Sequence, residues 1–236
     1  NVNDFDALCA LMTDLDISLW SVFFLVPTGR ARPQDIASAD EFESVFHKMY
    51  DLSRTAPFDI KSTAAPQYRR VVLQRQVAER RAGTRTAAPE PLTARIGFSL
   101  ADGVGRAKGV NDGDGFLFIS HTGAIYPSGF LPLAAGNVRK DDVVDIYRNA
   151  PLFTRLRDRS LLGGKCGVCE YRDICGGSRA RAYAVTGDYL AAEPFCAHIP
   201  ARWRRMHEGG ADPQADAPRT TPGRRERRAR PWISDR

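Results

Sequence analysis

The chain has 236 residues, of which 43% are hydrophobic and 26% charged, and this composition is enough for one large or two modest globular domains. Its most apolar run, Leu19 to Val26, is only as long as a strand, so the sequence predicts no membrane span, which needs roughly 20 residues. Because no secretory signal is recognised, the five cysteines predict metal-binding or catalytic sulfur in a reducing cytoplasm and not a disulfide framework.

The net charge of +6 is concentrated near the carboxyl end of the chain. Residues 201–236 contain ten arginines against five acidic residues, so the remainder is nearly neutral. This segment lacks apolar periodicity and is rich in Pro, Gly and Arg, which predicts a disordered basic tail. Binding of a nucleic acid or an acidic partner through the tail is the lesser alternative, and no specific nucleic-acid partner is expected.

Helices and strands alternate through the first third of the chain. Apolar periodicity predicts a helix, a parallel strand buried on both faces, a helix, a strand and a helix that starts at a proline. These segments are Asp4–Leu15, Leu19–Val26, Ala39–Thr55, Phe58–Thr63 and the residues that follow Pro66. The order is typical of the α/β class with a parallel sheet or barrel. Two strands cannot make a barrel, and the chain begins at Asn1 without a methionine, so we expect the natural chain to continue upstream.

A polar stretch rich in Ala, Thr and Pro at residues 81–95 predicts a linker between two domains. Beyond it, Phe116–Ser120 and Ala124–Tyr126 predict a β-hairpin with His121 in its turn. The expected helices of this second part are Asp141–Tyr147, Leu152–Leu156 and Ser178–Thr186, the last of which ends at Gly187. The glycines Gly103, Gly105, Gly109, Gly113 and Gly115 match no phosphate-binding fingerprint.

Four of the five cysteines, spaced C-x2-C-x5-C-x20-C, are the strongest chemical signal in the sequence. They are Cys166, Cys169, Cys175 and Cys196. Four thiolates satisfy either a tetrahedral zinc ion or the four irons of a [4Fe-4S] cluster. Three thiols in one tight loop and a distant fourth favour the cluster, because zinc ribbons usually present two close pairs. Structural zinc and free redox thiols stay as alternatives, and the isolated Cys9 is interpreted as a small buried hydrophobe.

The region from Gly115 to Pro200 resembles the carboxy-terminal SPASM or twitch module of radical S-adenosylmethionine enzymes. The likeness is carried by "GFLFISHTGAIYPSGFLPLAAGNVR" and "CEYRDICGGSRARAYAVTGDYLAAEPFCAHIP". The earlier "FFLVPTGRA" and "FDIKSTAAPQYRRV" look like the last βα units of the partial barrel of these enzymes. The resemblance implies a partial (β/α) barrel end at residues 1–80, a linker at 81–95, a small α+β cluster-binding SPASM/twitch domain at 96–200 and the tail at 201–236.

The resemblance also implies an enzyme. In such enzymes a second [4Fe-4S] cluster, held by a C-x3-C-x2-C motif, cleaves S-adenosylmethionine and starts radical chemistry. This sequence lacks that motif, so we expect the chain to be inactive alone. Its four cysteines would hold one auxiliary cluster that supports electron transfer during oxidation of a porphyrin or peptide substrate, with a ferredoxin or flavodoxin as electron donor. The alternative function is a non-catalytic interaction or electron-transfer module, in which the four cysteines bind zinc or a structural cluster.

Two positions depart from the seven-cysteine pattern of full SPASM modules. Ser128 and Arg179 stand where those modules carry cysteines, which implies one auxiliary cluster and not two. Ser128 as an oxygen ligand is a minor alternative.

Residues after the two predicted parallel strands are candidates for binding S-adenosylmethionine or substrate, because barrel enzymes place function at the carboxyl ends of their strands. They are Thr28, Gly29, Arg30 and Lys61, with solvated loop residues as the alternative, and no catalytic residue is identified. His198 is interpreted as a surface residue, with a hydrogen bond near the cluster as the alternative. For Arg179 and Arg181 we favour a solvated helix face over a role beside the cluster or an anionic substrate.

Overall fold

The computed structural model describes residues 2–84, here called the first unit, and residues 110–207, the second unit. The α-helices within these ranges, α1 to α8, are Phe5–Asp14, Ala39–Ser53, Gln67–Ala82, Val143–Asn149, Pro151–Arg157, Gly164–Gly167, Arg179–Thr186 and Ala201–His207. The strands β1 to β5 are Leu19–Phe23, Asp59–Thr63, Phe118–Ile119, Ala124–Tyr126 and Gly136–Asn137. Short 3-10 helices cover Val2–Asp4, Pro33–Asp35 and Arg159–Leu161. The described chain is therefore a mixed helix and strand fold with small sheets.

The first unit begins with α1, continues as a βαβ arrangement and ends with α3. Strands β1 and β2 pair in parallel, from Leu19 opposite Asp59 to Phe23 opposite Thr63, and α2 connects them. Helices α2 and α3 contribute apolar side chains to one core. Phe46 and Met49 from α2 and Tyr68 and Val71 from α3 are each at most 2% exposed in that core. Parallel pairing through a crossover helix agrees with the α/β prediction.

Local sequence explains where the two long helices begin and end. Helix α2 starts with a capping box, in which Ser38 Oγ accepts from Glu41 N at 3.2 Å and Glu41 Oε2 accepts from Ser38 N at 2.7 Å. Helix α3 follows Pro66 and ends at Gly83, whose φ of +67° suits the left-handed terminating position. Both helices match their predicted positions.

The prediction for the first strand is wrong in length and in burial. β1 ends at Phe23, and Ser21 and Phe23 are exposed, so the strand is not buried on both faces. The two buried residues of the run, Phe24 and Val26, follow the strand. Phe24 packs in the core of the first unit, whereas Val26 packs in the core of the second. The apolar run therefore serves two cores, which explains its continuous hydrophobicity.

The second unit is a three-stranded antiparallel sheet with short helices, in the order β3-β4-β5. The predicted hairpin is confirmed, with Phe118 opposite Tyr126 and a turn that contains His121. Helices α4, α5 and α7 form close to their predicted positions, and Gly187 terminates α7 with φ +80°. Leu131, Leu156 and Ala180 form a core with Val26 of the first unit. This shared core packs the two units against each other.

Some predicted features lie outside the described residues. They include most of the 81–95 linker, the glycines Gly103, Gly105 and Gly109, and the tail after His207. The first seven residues of the predicted tail form α8, Ala201–His207, and are not disordered. Among the described helices, none has the length and apolar character that crossing a membrane requires.

Candidate metal centre

The four cysteines of the predicted motif meet at one pocket. Cys166 lies on α6, Cys169 and Cys175 on the loop that follows, and Cys196 on the segment between α7 and α8. All four line the same small cavity, and none forms a disulfide. The sequence-predicted ligands are therefore brought together as one set of sulfur donors.

Backbone amides already point at three of the thiols, two from the cysteine loop and one from the segment before Cys196. Tyr171 N donates to Cys169 Sγ at 3.4 Å and Gly177 N donates to Cys175 Sγ at 3.4 Å. Glu193 N donates to Cys166 Sγ at 3.3 Å. Such N–H···S contacts stabilise negative charge on sulfur, so the pocket is built for thiolates more than for neutral thiols.

Burial opposes ionisation of three of the four thiols, those of Cys169, Cys175 and Cys196, because the neighbouring protein groups only partly compensate a full negative charge. Burial raises the pKa of Cys196 to about 11, although Arg70 and Lys165 act in the opposite direction. Burial also raises the pKa of Cys169 and of Cys175. A bound metal centre would supply the missing positive charge and make ionisation of these thiols favourable.

The spacing of the donors is wide. Within the described ranges, the three candidate ligand atoms that lie within 4.8 Å of one another belong to Cys169, Glu170 and His198. The four thiols, all of them in the described part of the chain, form no such close group. The four cysteines line one cavity, but among any three of their sulfur atoms at least one pair lies more than 4.8 Å apart.

The turn that follows Cys175 requires both of its glycines, Gly176 and Gly177. Gly176 and Gly177 have φ of +67° and +66°, a region that disfavours other residues. A Cβ on Gly177 would lie 2.5 Å from Arg179 Nη2 and 2.8 Å from Glu193 Cβ. The turn therefore depends on glycine for its conformation and for space, and it places Gly177 N on the Cys175 sulfur.

Helix α3 of the first unit forms one wall of the thiol pocket through Gln67 and Arg70. Arg70 is 2% exposed and pairs with Glu43, with Nη1 to Oε1 at 2.8 Å, while its Nη1 also donates to Gln74 Oε1 at 2.8 Å. Burial acts to lower the pKa of Arg70, but Glu43 and the nearby thiols raise it overall. The pocket thus contains a permanent cation that sequence reasoning missed, because no local pattern links α3 to the cysteines.

The prediction of a solvated face for Arg179 and Arg181 is wrong, since both side chains are fully buried. Arg179 Nη1 donates to the carbonyls of Ala191 at 2.7 Å and Tyr189 at 3.1 Å, which holds the segment before Cys196. Arg179 thus holds the segment that leads to Cys196, and it is absent from the thiol pocket's lining.

Arg181 connects the cluster region to the ends of the parallel strands. It donates to Leu25 O at 3.0 Å and Ala64 O at 2.7 Å, and its Nη1 lies 3.2 Å from Glu193 Oε2. Glu193 in turn accepts from Ser178 N at 2.9 Å and presents its own amide to Cys166. The buried arginine therefore bridges the first unit and a thiol-contacting residue.

The candidates at the strand ends are not all brought to one place. Lys61, at β2, lines a cavity of about 300 Å³ together with Arg69, Asp112 and Phe130, between the first and second units. Thr28, Gly29 and Arg30 do not line this cavity, and Gly29 and Arg30 are exposed.

The structure also places Ser128, His198 and Cys9, which the sequence analysis considered beside the four cysteines. Ser128 Oγ accepts from the backbone of Phe130 and Leu131 at 3.2 Å each and lies away from the thiol pocket, so it is a turn residue there and not a ligand. His198 is not a plain surface residue, since it lines the thiol pocket and its Nε2 lies 3.0 Å from Glu170 Oε1. Cys9 is half-buried against the core of the first unit.

Comparison with known proteins gives relatives for most of the chain. It is 37% identical over 203 residues to the AdoMet-dependent heme synthase of Methanosarcina barkeri, a match that covers 86% of this chain and 54% of that protein. The heme synthase of Nitratidesulfovibrio vulgaris is 39% identical over 208 residues, covering 86% and 52%. A PqqA peptide cyclase of Granulibacter bethesdensis is 34% identical over 91 residues, covering 36% and 24%. No protein-family model matches the chain.

The chain spans about half the length of the heme synthases that it matches. Both kinds of relative, the heme synthases and the peptide cyclases, are radical S-adenosylmethionine proteins, as the cysteine motif and its flanking segments predict. The chain belongs to the radical S-adenosylmethionine enzyme family.

Proposed function

We propose that this chain is the carboxy-terminal portion of a radical S-adenosylmethionine enzyme, and that Cys166, Cys169, Cys175 and Cys196 hold one auxiliary [4Fe-4S] cluster. The observation that carries the proposal is the convergence of all four thiols on one pocket in a homologue of these enzymes. Such a cluster, when bound by four cysteines, supplies one-electron transfer and leaves no iron open to substrate. The neighbouring backbone amides stabilise the thiolates.

The thiol spacing supports a cluster over zinc. With Zn–S bonds near 2.3 Å, tetrahedral geometry places any two sulfurs about 3.8 Å apart. The four thiols do not form a group within 4.8 Å of one another, whereas a cube with a sulfur ligand at each corner iron needs a wider spacing. The N–H···S contacts to Cys166, Cys169 and Cys175 also favour a cluster, because hydrogen bonds to sulfur tune the potential of iron–sulfur centres.

The first unit supports the barrel part of the proposal. Two parallel strands with a crossover helix are compatible with the last units of a partial barrel. In barrels the active side lies at the carboxyl ends of the strands. The cavity of about 300 Å³ lies at this end of β2, because its lining extends from Lys61, in the middle of the strand, to Pro66 beyond it. We assign this cavity to the substrate or S-adenosylmethionine side. S-adenosylmethionine, the second cluster and a ferredoxin or flavodoxin donor belong to the intact protein under this proposal.

Between the two substrate classes, we propose a porphyrin-related substrate. The heme synthases match 86% of the chain, whereas the peptide cyclases match 36% or 37%. The cavity also carries two cationic side chains, Lys61 and Arg69, beside apolar surface from Phe116 and Phe130. Flat apolar surface with cations nearby suits a macrocycle that bears carboxylates.

The cluster assignment is tested by anaerobic reconstitution of this chain, followed by iron and sulfide analysis and Mössbauer spectroscopy. We expect about four irons per chain and a brown chromophore. Cys196→Ala should lose or destabilise the cluster, while the matched Cys9→Ala variant, whose thiol lies outside the pocket, should keep full iron content. About one zinc per chain and no chromophore would support the structural zinc module instead.

A further inference from the structure

Helix α3 presents unused hydrogen-bond donors to the thiol pocket. Its first residue, Gln67, lines the pocket and is 1% exposed. Neither Nε2 nor Oε1 of its amide has a hydrogen-bond partner among the described residues. One turn further along the same face, Arg70 also lines the pocket, and its Nε likewise has no partner within the described ranges.

Such an amide is costly to bury for packing alone. A buried polar group without a partner is destabilising, and a Leu or Met side chain would fill the same space without that cost. Arg70 directs its Nη1 to Glu43 and Gln74, so its terminal nitrogens are committed elsewhere. The unsatisfied amide of Gln67 therefore indicates an acceptor that is present only when the pocket is filled.

The acceptors that belong in this pocket are sulfur atoms. The three N–H···S contacts described above come from the cysteine loop and the segment that contains Glu193, and all of them lie in the second unit. Gln67 approaches the same cavity from the first unit, so it faces the pocket from a side that those amides do not supply. Thiolate and sulfide sulfurs each accept more than one hydrogen bond, and an amide N–H is a suitable donor to them.

We propose that Gln67 donates a hydrogen bond from Nε2 to a sulfur of the bound cluster and thereby raises its reduction potential. The inference rests on the proposed cluster and adds a residue of the first unit to its environment. Reduction adds negative charge to the cluster, so a donor stabilises the reduced state more than the oxidised state. Gln67 tunes the potential of the cluster here, because it contacts the cluster and not the substrate.

The test compares Gln67→Met with Gln76→Met in the reconstituted chain. Methionine keeps the length and volume of glutamine but has no N–H. Gln76 lies on the same helix and does not line the thiol pocket, so its replacement controls for the loss of an amide from α3. Redox titration followed by EPR should show a lower potential for Gln67→Met and no shift for Gln76→Met, with equal iron content in all three proteins.

A second measurement needs no variant. Wild-type chain labelled with ¹⁵N in glutamine side-chain amides should show a ¹⁵N hyperfine coupling to the reduced cluster, because Gln67 is the one glutamine among the pocket's lining residues in the described structure. An unshifted potential in Gln67→Met, or no ¹⁵N coupling in a fully loaded wild-type cluster, overturns the proposal while leaving the cluster assignment intact. If wild-type chain binds zinc and no iron, the proposed function itself fails.

Discussion

Arg181 offers a direct test of how the second unit, which carries the four cysteines, is held against the first unit. Its side chain is fully buried and donates to the carbonyls of Leu25 and Ala64. It also pairs with the fully buried Glu193 and lies over the ring of Phe42, 5.0 Å from the ring centre. Replacing Arg181 by methionine removes every one of these polar contacts while keeping an unbranched apolar side chain at the site.

The expected loss follows from the groups that are left behind. Glu193 would keep two backbone donors, Ser178 N at 2.9 Å and Phe195 N at 3.1 Å, but would become a buried carboxylate without a cation. Breaking a buried pair in this way costs about 3–5 kcal/mol. Carbonyls that lose a donor add about 1 kcal/mol each, and such terms are less than additive. We therefore expect the free energy of unfolding to fall by about 5 kcal/mol, a large share of the ~5–15 kcal/mol of a typical domain.

Urea denaturation monitored by circular dichroism measures this change. Arg181→Lys keeps the charge beside Glu193 and should lose about half as much, since it cannot reach all the carbonyls. Adding Glu193→Gln to Arg181→Met should recover about 1–2 kcal/mol by removing the uncompensated charge. Arg202→Met, on the exposed side of α8, is the control and should change stability by less than about 0.5 kcal/mol. A loss below about 1 kcal/mol for Arg181→Met would refute this account of the buried arginine.

Two further predictions concern the cysteine loop and the cavity at β2. Gly177→Ala should cost about 3 kcal/mol and lower the iron content, because it combines a left-handed backbone with contacts under 3 Å, whereas Gly187→Ala, also at positive φ but with nothing within 4 Å, should cost about 1 kcal/mol and keep its iron. Equal losses in the two variants would show that crowding at Gly177 is unimportant. Lys61→Ala should weaken binding of a propionate-bearing porphyrin about tenfold in a fluorescence-quenching titration, equivalent to roughly 1.4 kcal/mol, while the exposed Lys140→Ala should not. Equal affinities for the Lys61 and Lys140 variants would remove Lys61 from the binding site.

Features that depend on local sequence could be predicted well. Apolar periodicity predicts α2, and Gly187 predicts the end of α7, because both features rely on residues within a few positions. The capping box of Ser38 and Glu41 was not predicted, although it too is a local pattern. The hairpin around His121 follows from two short apolar runs and a turn. The cysteine set could also be recognised, because metal ligands repeat a spacing that chance rarely produces and all four thiols do line one pocket.

Features that depend on distant partners could not be predicted. The charge of Arg181 suggested a solvated helix face, yet its acceptors Leu25 O and Ala64 O lie 156 and 117 residues away along the chain. A helical pattern contains no information about such acceptors, which is why the burial of this residue was missed. The contribution of α3 to the thiol pocket was missed for the same reason, since neither Gln67 nor Arg70 belongs to a recognisable ligand pattern.

The positions of the two pockets bear on whether the proposed cluster is structural or carries electrons. Along α3, Gln67 lines the thiol pocket while the adjacent Tyr68 lines the cavity of about 300 Å³. At the start of α7, Gly177 lines the thiol pocket while the adjacent Ser178 lines the cavity. At two places, consecutive residues of the chain line different pockets, so the thiol pocket and the cavity lie next to each other. If the proposed cluster accepts an electron from a substrate radical, we expect it to lie close to the proposed substrate cavity, whereas a cluster that only stabilises the fold has no such requirement. The adjacency of the two pockets is the arrangement that the proposed electron-transfer role requires.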